Sequence, residues 1–124
     1  NPYAQAGLYG QCTWFAWGRF YELYGYDPGF SGDGNSCVKE LVSAHPDKFE
    51  RSSSPKAGAV FSAIGHNHVG IVIAVKDNTL TVQEGNLDGI TNTFQDAKKD
   101  WQTKSYTFDQ LRSIYGGVVF ANPK

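Results

Sequence analysis

Cys12 stands in the stretch LYGQCTWFAWGRF, directly after Gly10 and Gln11 and ahead of a run crowded with aromatics. A single cysteine is ordinarily a packing residue. One that opens a helix differs, because the free N–H groups of the first turn and the helix dipole favour the thiolate. A thiolate attacks carbonyl carbon when a base takes its proton and a third group orients that base. Three histidines are available. His45 precedes Pro46 in a loop and reads as a solvated loop residue. His66 and His68 flank Asn67 just before the run VGIVIAV. Side chains alternate across a strand, so His68 shares a face with Gly70, Val72 and Ala74. Small residues let a neighbour pack closely, so this is the face expected to meet the helix that carries Cys12.

On the following run, Leu80, Val82 and Glu84 share one face. A carboxylate that continues an apolar row is costly unless partnered. The turn between the runs sets the pairing. A two-residue loop of Asp77 and Asn78 pairs Lys76 with Thr79 and turns His68 and Glu84 to opposite sides. A three-residue loop of Lys76, Asp77 and Asn78, with Asn78 left-handed, sets His68 opposite Asn86 and Glu84 opposite Gly70. The second register gathers His68, Glu84 and Asn86 on one face, within reach of long side chains. It favours His68 over His66, which overshoots both partners. The set is that of acyl transfer: Cys12 as nucleophile, His68 as base, and Glu84 or Asn86 accepting the second ring N–H. The amide of Cys12 and the side chain of Gln11 are candidates for holding the oxyanion. Trp14 is a candidate for facing the cleft, although the aromatic cluster around it reads mainly as core.

These residues need elements to position them. Residues 11 or 12 to 24 read as a helix, with Gly25 as the stop, and its apolar residues lie on nearly every side. It is expected to be a buried core helix. A loop rich in Gly, Asp and Pro follows, in which Asp27, Asp33 and Asn35 read as turn chemistry. A second helix spans about 37–45, capped by Asn35 or Ser36 and ended by Pro46. ERSSSPKAG reads as a loop. GAVFSAI, HVGIVIAVK, TLTVQEGN and GGVVFANP read as strands, and FDQLRSIYG as a late helical turn or two. Trp101 reads equally as surface or groove rim. Helices first and an antiparallel sheet second give an α+β domain with helices on one face.

With 124 residues, 40% of them hydrophobic, one core suffices. The net charge of −1 comes from interspersed charges, so no basic face offers itself to nucleic acid or anionic membrane. No run is long and apolar enough to insert in a membrane. No methionine occurs, even at position 1, so the chain reads as one domain, 1–124, excised from a longer protein. Neither Cys12 nor Cys37 belongs to a zinc-type pair, and no metal or cofactor is expected. Cys37 reads as a buried or half-buried free thiol. A Cys12–Cys37 disulfide would instead remove the thiolate and make the chain a catalytically idle binding or assembly module.

The ordered set GQCTWFAW, HNHVGIV and VQEGN resembles the CHAP domain, a cysteine- and histidine-dependent amidohydrolase/peptidase module of the papain-like clan. PKAGAVFS and GGVVFANP extend the resemblance over nearly the whole chain. It implies N-terminal helices packed on an antiparallel, partly barrel-like sheet. It implies Cys12 as nucleophile, His68 as base, Glu84 as orienting acid and Asn86 as a further polar member. The implied work is cleavage of amide bonds in bacterial peptidoglycan, with a stem-peptide or cross-bridge endopeptidase favoured over an N-acetylmuramoyl-L-alanine amidase. The implied place is outside the cell, in Gram-positive endolysins, autolysins or conjugation proteins, beside a wall-binding domain. Calcium sites of some relatives use acidic residues upstream of the cysteine. None of the eleven residues before Cys12 is acidic.

Overall fold

The computed structural model describes Tyr3, residues 12–85 and residues 103–124, together with the backbone of Gln102. Helix α1 is Cys12–Tyr24. It stops where expected: Gly25 takes a φ of 79°, and its N–H bonds to the Tyr21 carbonyl at 2.8 Å. It is not buried all round. Trp14, Phe15, Ala16 and Phe20 are buried, while Tyr21 and Leu23 are exposed near its end. A 3₁₀ turn, Gly34–Ser36, leads into helix α2, Cys37–Ala44. Ser36 holds the N-cap position without capping, because its hydroxyl donates to the Asp33 carbonyl instead. The first-turn N–H of Val38 is satisfied by the buried hydroxyl of Ser62, from the sheet beneath. His45 is partly covered rather than fully solvated. It is half-buried at the end of α2, with Nε2 2.7 Å from the Asp27 carbonyl and its ring edge-on to Tyr26.

Among the described residues, six strands form one antiparallel sheet that is not closed: β1 Phe49–Ser52, β2 Val60–Ala63, β3 His68–Lys76, β4 Thr79–Glu84, β5 Gln102–Thr107 and β6 Val118–Pro123. Their order is β1-β6-β2-β3-β4-β5. Helix α3, Phe108–Tyr115, lies between β5 and β6 in sequence. Strands β1 and β5 arise from stretches that carry no expected strand. Both are edges, and an edge strand needs no continuous apolar row of its own.

The two faces carry separate cores. Phe15, Phe20, Leu41 and Val38 from α1 and α2 pack on Val60, Val69 and Ile71. Leu111 of α3 packs on Phe61, Val72, Val82 and Phe120. Helices therefore cover both faces, rather than one. The face of β3 that meets α1 is that of Val69 and Ile71. His68, Gly70 and the Phe61 ring share the other. Gly70 makes room for that ring: a Cβ there would lie 2.5 Å from Phe61 Cε1. The small residue thus admits an aromatic ring from the next strand, where a helix was expected.

The β3–β4 hairpin corrects the expected turn while keeping the register beyond it. The loop is the two-residue one, with Lys76 opposite Thr79, and Asp77 takes the positive φ of 55° in place of Asn78. A bulge then shifts the pairing between Val72 and Ala74, so that Val72 meets Val82 and Ile71 meets Gln83. An extra residue in one strand re-aims everything after it. One step further, Glu84 falls opposite Gly70, on the face of His68.

Candidate active site

Cys12 is half-buried at the first turn of α1. Its Sγ lies 3.8 Å from the Asn67 carbonyl, at the entry to β3. Helix and histidine therefore meet end to end, the thiol reaching the start of the strand. The position of His68 is fixed from behind by Gly34, because a Cβ there would lie 2.8 Å from His68 N and C. The 3₁₀ turn presses its bare backbone against the strand at that point.

His68 Nε2 donates to Glu84 Oε1 at 2.8 Å. The His68 side chain is 14% exposed and that of Glu84 is 0% exposed. With Nε2 taken by Glu84, Nδ1 is the nitrogen left for the thiol of Cys12. Burial pulls the His68 pKa down, but bonds to Cys12 and Glu84 and their negative charges outweigh it, and it is pushed up to about 9. Burial likewise opposes charge on Glu84. Hydrogen bonds from His68 and Tyr115, the His68 charge and the bond from Tyr106 prevail, and its carboxyl is held below the usual range.

Two residues of this cluster carry no sequence signal of their own. Tyr115 OH donates to Glu84 Oε1 at 2.6 Å, and Tyr106 OH donates to Oε2 at 3.1 Å. The Tyr115 ring also stacks on His68, with centroids 4.8 Å apart and planes 18° from parallel. Tyr106 sits on the unexpected strand β5. The start of α3, however, was readable: Thr107 and Gln110 form a reciprocal capping box. His66 stays outside the cluster. It is exposed, and its Nδ1 lies 3.3 Å from the Tyr115 carbonyl.

Trp14 is 6% exposed, inside the core cluster with Tyr3 and Phe30. The hydrophobic demand of a large indole at a helix start places it there. Gln11, Asn86 and Trp101 lie outside the described residues. Cys12 and Cys37 are both free thiols. Cys37 is buried beside Tyr3 and the Asp33 carbonyl, and burial pushes its thiol up to about 12. Asp27 Oδ1 accepts from Gly29 N–H at 2.7 Å, as turn chemistry requires. Among the described residues, no group of three or more His, Cys, Asp or Glu gathers to hold a metal. No described helix is long and apolar enough to cross a membrane.

The sequence matches the CHAP domain over residues 2–86, and the chain belongs to that family. Among solved structures it is similar to an N-acetylmuramoyl-L-alanine amidase from Staphylococcus aureus, at 19% identity and a TM-score of 0.61. That alignment covers 93% of this chain and 31% of the amidase, so the chain spans about a third of that protein. It is also similar to Ly7917 solved with "the hydrolyzing product of MDP", at 20% identity and a TM-score of 0.50. There the alignment covers 75% of this chain and 38% of the other. No curated protein matches.

Proposed function

We propose that this CHAP domain is the catalytic module of a peptidoglycan hydrolase that cuts an amide bond with Cys12 as nucleophile. The observation that carries the reading is His68, bonded to a fully buried Glu84, with the thiol of Cys12 at the carbonyl of the preceding residue, Asn67. A buried carboxylate is expensive to keep unless its charge is used. Here it fixes the ring so that Nε2 carries a proton and Nδ1 faces the thiol.

In the reaction, with the Cys12 proton already held on Nδ1 of His68, the thiolate adds to the carbonyl carbon of the scissile amide. The C=O electrons move onto oxygen, and the backbone N–H of Cys12 stabilises that oxyanion. Collapse expels the amine, which takes its proton from His68, and leaves a thioester on Cys12. Water, deprotonated by His68, adds to the thioester carbonyl. Loss of the thiolate then releases the acid. Through both half-reactions Glu84 balances the imidazolium charge. Gln11 and Asn86 keep their assignments, as a second oxyanion donor and a further polar member.

The favoured bond lies within the stem peptide or its cross-bridge. The name of the staphylococcal structure supplies the second reading, cleavage between muramic acid and L-alanine. In either case the work is done in the cell wall, outside the cell, beside further domains of a longer protein. Purified peptidoglycan digested by the wild type should yield new amino termini without new reducing sugars, and mass spectrometry of the fragments assigns the bond. Cys12→Ala should yield none. Equal digestion by folded Cys12→Ala would overturn the mechanism.

A further inference from the structure

Glu84 has two lone-pair-bearing oxygens and no exposure, and the histidine uses only one of them. Among the described residues, its other hydrogen bonds come from two tyrosines on elements that carry no other part of the site, β5 and α3. They arrive from different sides: Tyr106 at Oε2, and Tyr115 at Oε1, the oxygen that His68 also holds. Tyr115 additionally covers the His68 ring face to face. We infer that the Tyr115 hydroxyl, assisted by that of Tyr106, is a positioning element of the catalytic dyad: it keeps Glu84 ionised and aimed at His68 when the imidazole has given up its proton.

The need follows from the cycle. When His68 protonates the leaving amine, Glu84 loses the positive charge beside it while remaining buried. An unpaired buried carboxylate would then take up a proton or swing away. Two phenolic O–H donors keep it anionic at that step, because hydrogen bonds to a charged acceptor are the stronger kind. Both tyrosines remain protonated while doing so. Burial and the Glu84 charge push the Tyr106 hydroxyl up to about 12, and burial pushes that of Tyr115 higher still. Among the described residues, the other titratable groups facing this cluster are Cys12 from α1 and His66 from the turn before β3. Phe61 of β2 packs on His68 and Tyr115 without a charge.

The inference rests on the hydrolase reading for its consequence in turnover, so the test has one arm without substrate. The pH dependence of Cys12 alkylation by iodoacetamide, followed at the peptide level by mass spectrometry, reports the thiolate–imidazolium–carboxylate set directly. Tyr115→Phe keeps the ring and removes the hydroxyl. With one donor gone, Glu84 protonates at higher pH, so the acid limb of the alkylation profile should move up by about one pH unit. On peptidoglycan, kcat should fall by about tenfold while KM changes less than about twofold. Tyr106→Phe should move the limb the same way by less, because its bond is longer, and it stands as the independent arm should Tyr115→Phe not fold. An unmoved or lowered acid limb in the folded variants overturns the positioning role and leaves the hydrolase reading standing. A raised limb in a protein whose wild type cuts no peptidoglycan does the reverse.

Discussion

At the residue scale, the choice between two neighbouring histidines is the sharpest test. His68 is the one bonded to Glu84, whereas His66 is exposed, with Nδ1 at the Tyr115 carbonyl. His68→Ala should lower wall lysis by roughly a thousandfold or more, as loss of a triad base does. His66→Ala should keep most activity. Glu84→Gln should fall between them, since an amide can accept the ring N–H but balances imidazolium poorly. A dead His66→Ala beside an active His68→Ala would refute the assignment. Stability should follow pH through the same groups. The folded pKa of His68 is raised from 6.5 to about 9, so its contribution is complete below about 6.5 and is lost as pH climbs through 9. Glu84 is lowered from 4.5, so its contribution is present above about 4.5 and is lost as acid passes through its depressed value. The two overlap between about 4.5 and 6.5. The wild-type Tm should therefore decline from pH 6.5 to above 9, and Cys12→Ser, lacking the thiolate, should show a shallower decline. Equal slopes would remove Cys12 from the cause. Of these residues, Cys12, His68 and Glu84 were legible because type, spacing and alternation all constrain them. Tyr106 and Tyr115 were not, since a tyrosine on a polar edge strand or at a helix end resembles any other.

At the element scale, the periodic segments were the legible ones. Helices α1 and α2, strands β2, β3, β4 and β6, and the α+β class all follow from apolar rows and their stops. The side of β3 that α1 covers did not follow, because small residues signal close approach without naming what approaches. The bulge in β3 was invisible for another reason: a single shifted residue inside an apolar run leaves the pattern of residue types intact. It nevertheless decides which face Glu84 takes. The element most finely set is the 3₁₀ turn. A methyl on Gly34 would meet the backbone of His68, which cannot rotate aside as a side chain can. Gly34→Ala should push the start of β3 away from Cys12 and Glu84, cutting activity at least tenfold at a stability cost of about 1–3 kcal/mol. Full activity with an unchanged Tm would show that the turn yields freely.

At the scale of the whole molecule, the site is assembled across the sheet. Cys12 comes from the side of α1 and α2, whereas Tyr115 belongs to α3 on the opposite face, and His68 and Glu84 lie between them. Neither core can loosen without disturbing the site. Cys37 offers a probe of this coupling. It is 0% exposed in the core that joins α1, α2 and β1 to the middle strands, and its thiol is pushed up to about 12. Reaching it requires opening that core, and its modification should therefore track large-scale unfolding. Cys12, half-buried at a helix start beside an imidazolium, requires no such opening. Under native conditions a thiol reagent should consume one equivalent quickly and the second only as denaturant is added, along the same transition that far-ultraviolet circular dichroism reports. Conservative replacement of Cys37 by Ala should leave kcat near wild type and lower the Tm, because the loss is one of packing. If both thiols react at the same fast rate in the native protein, the core containing Cys37 opens independently of the rest. If neither reacts until reductant is added, the two cysteines are bridged and Cys12 is not a nucleophile.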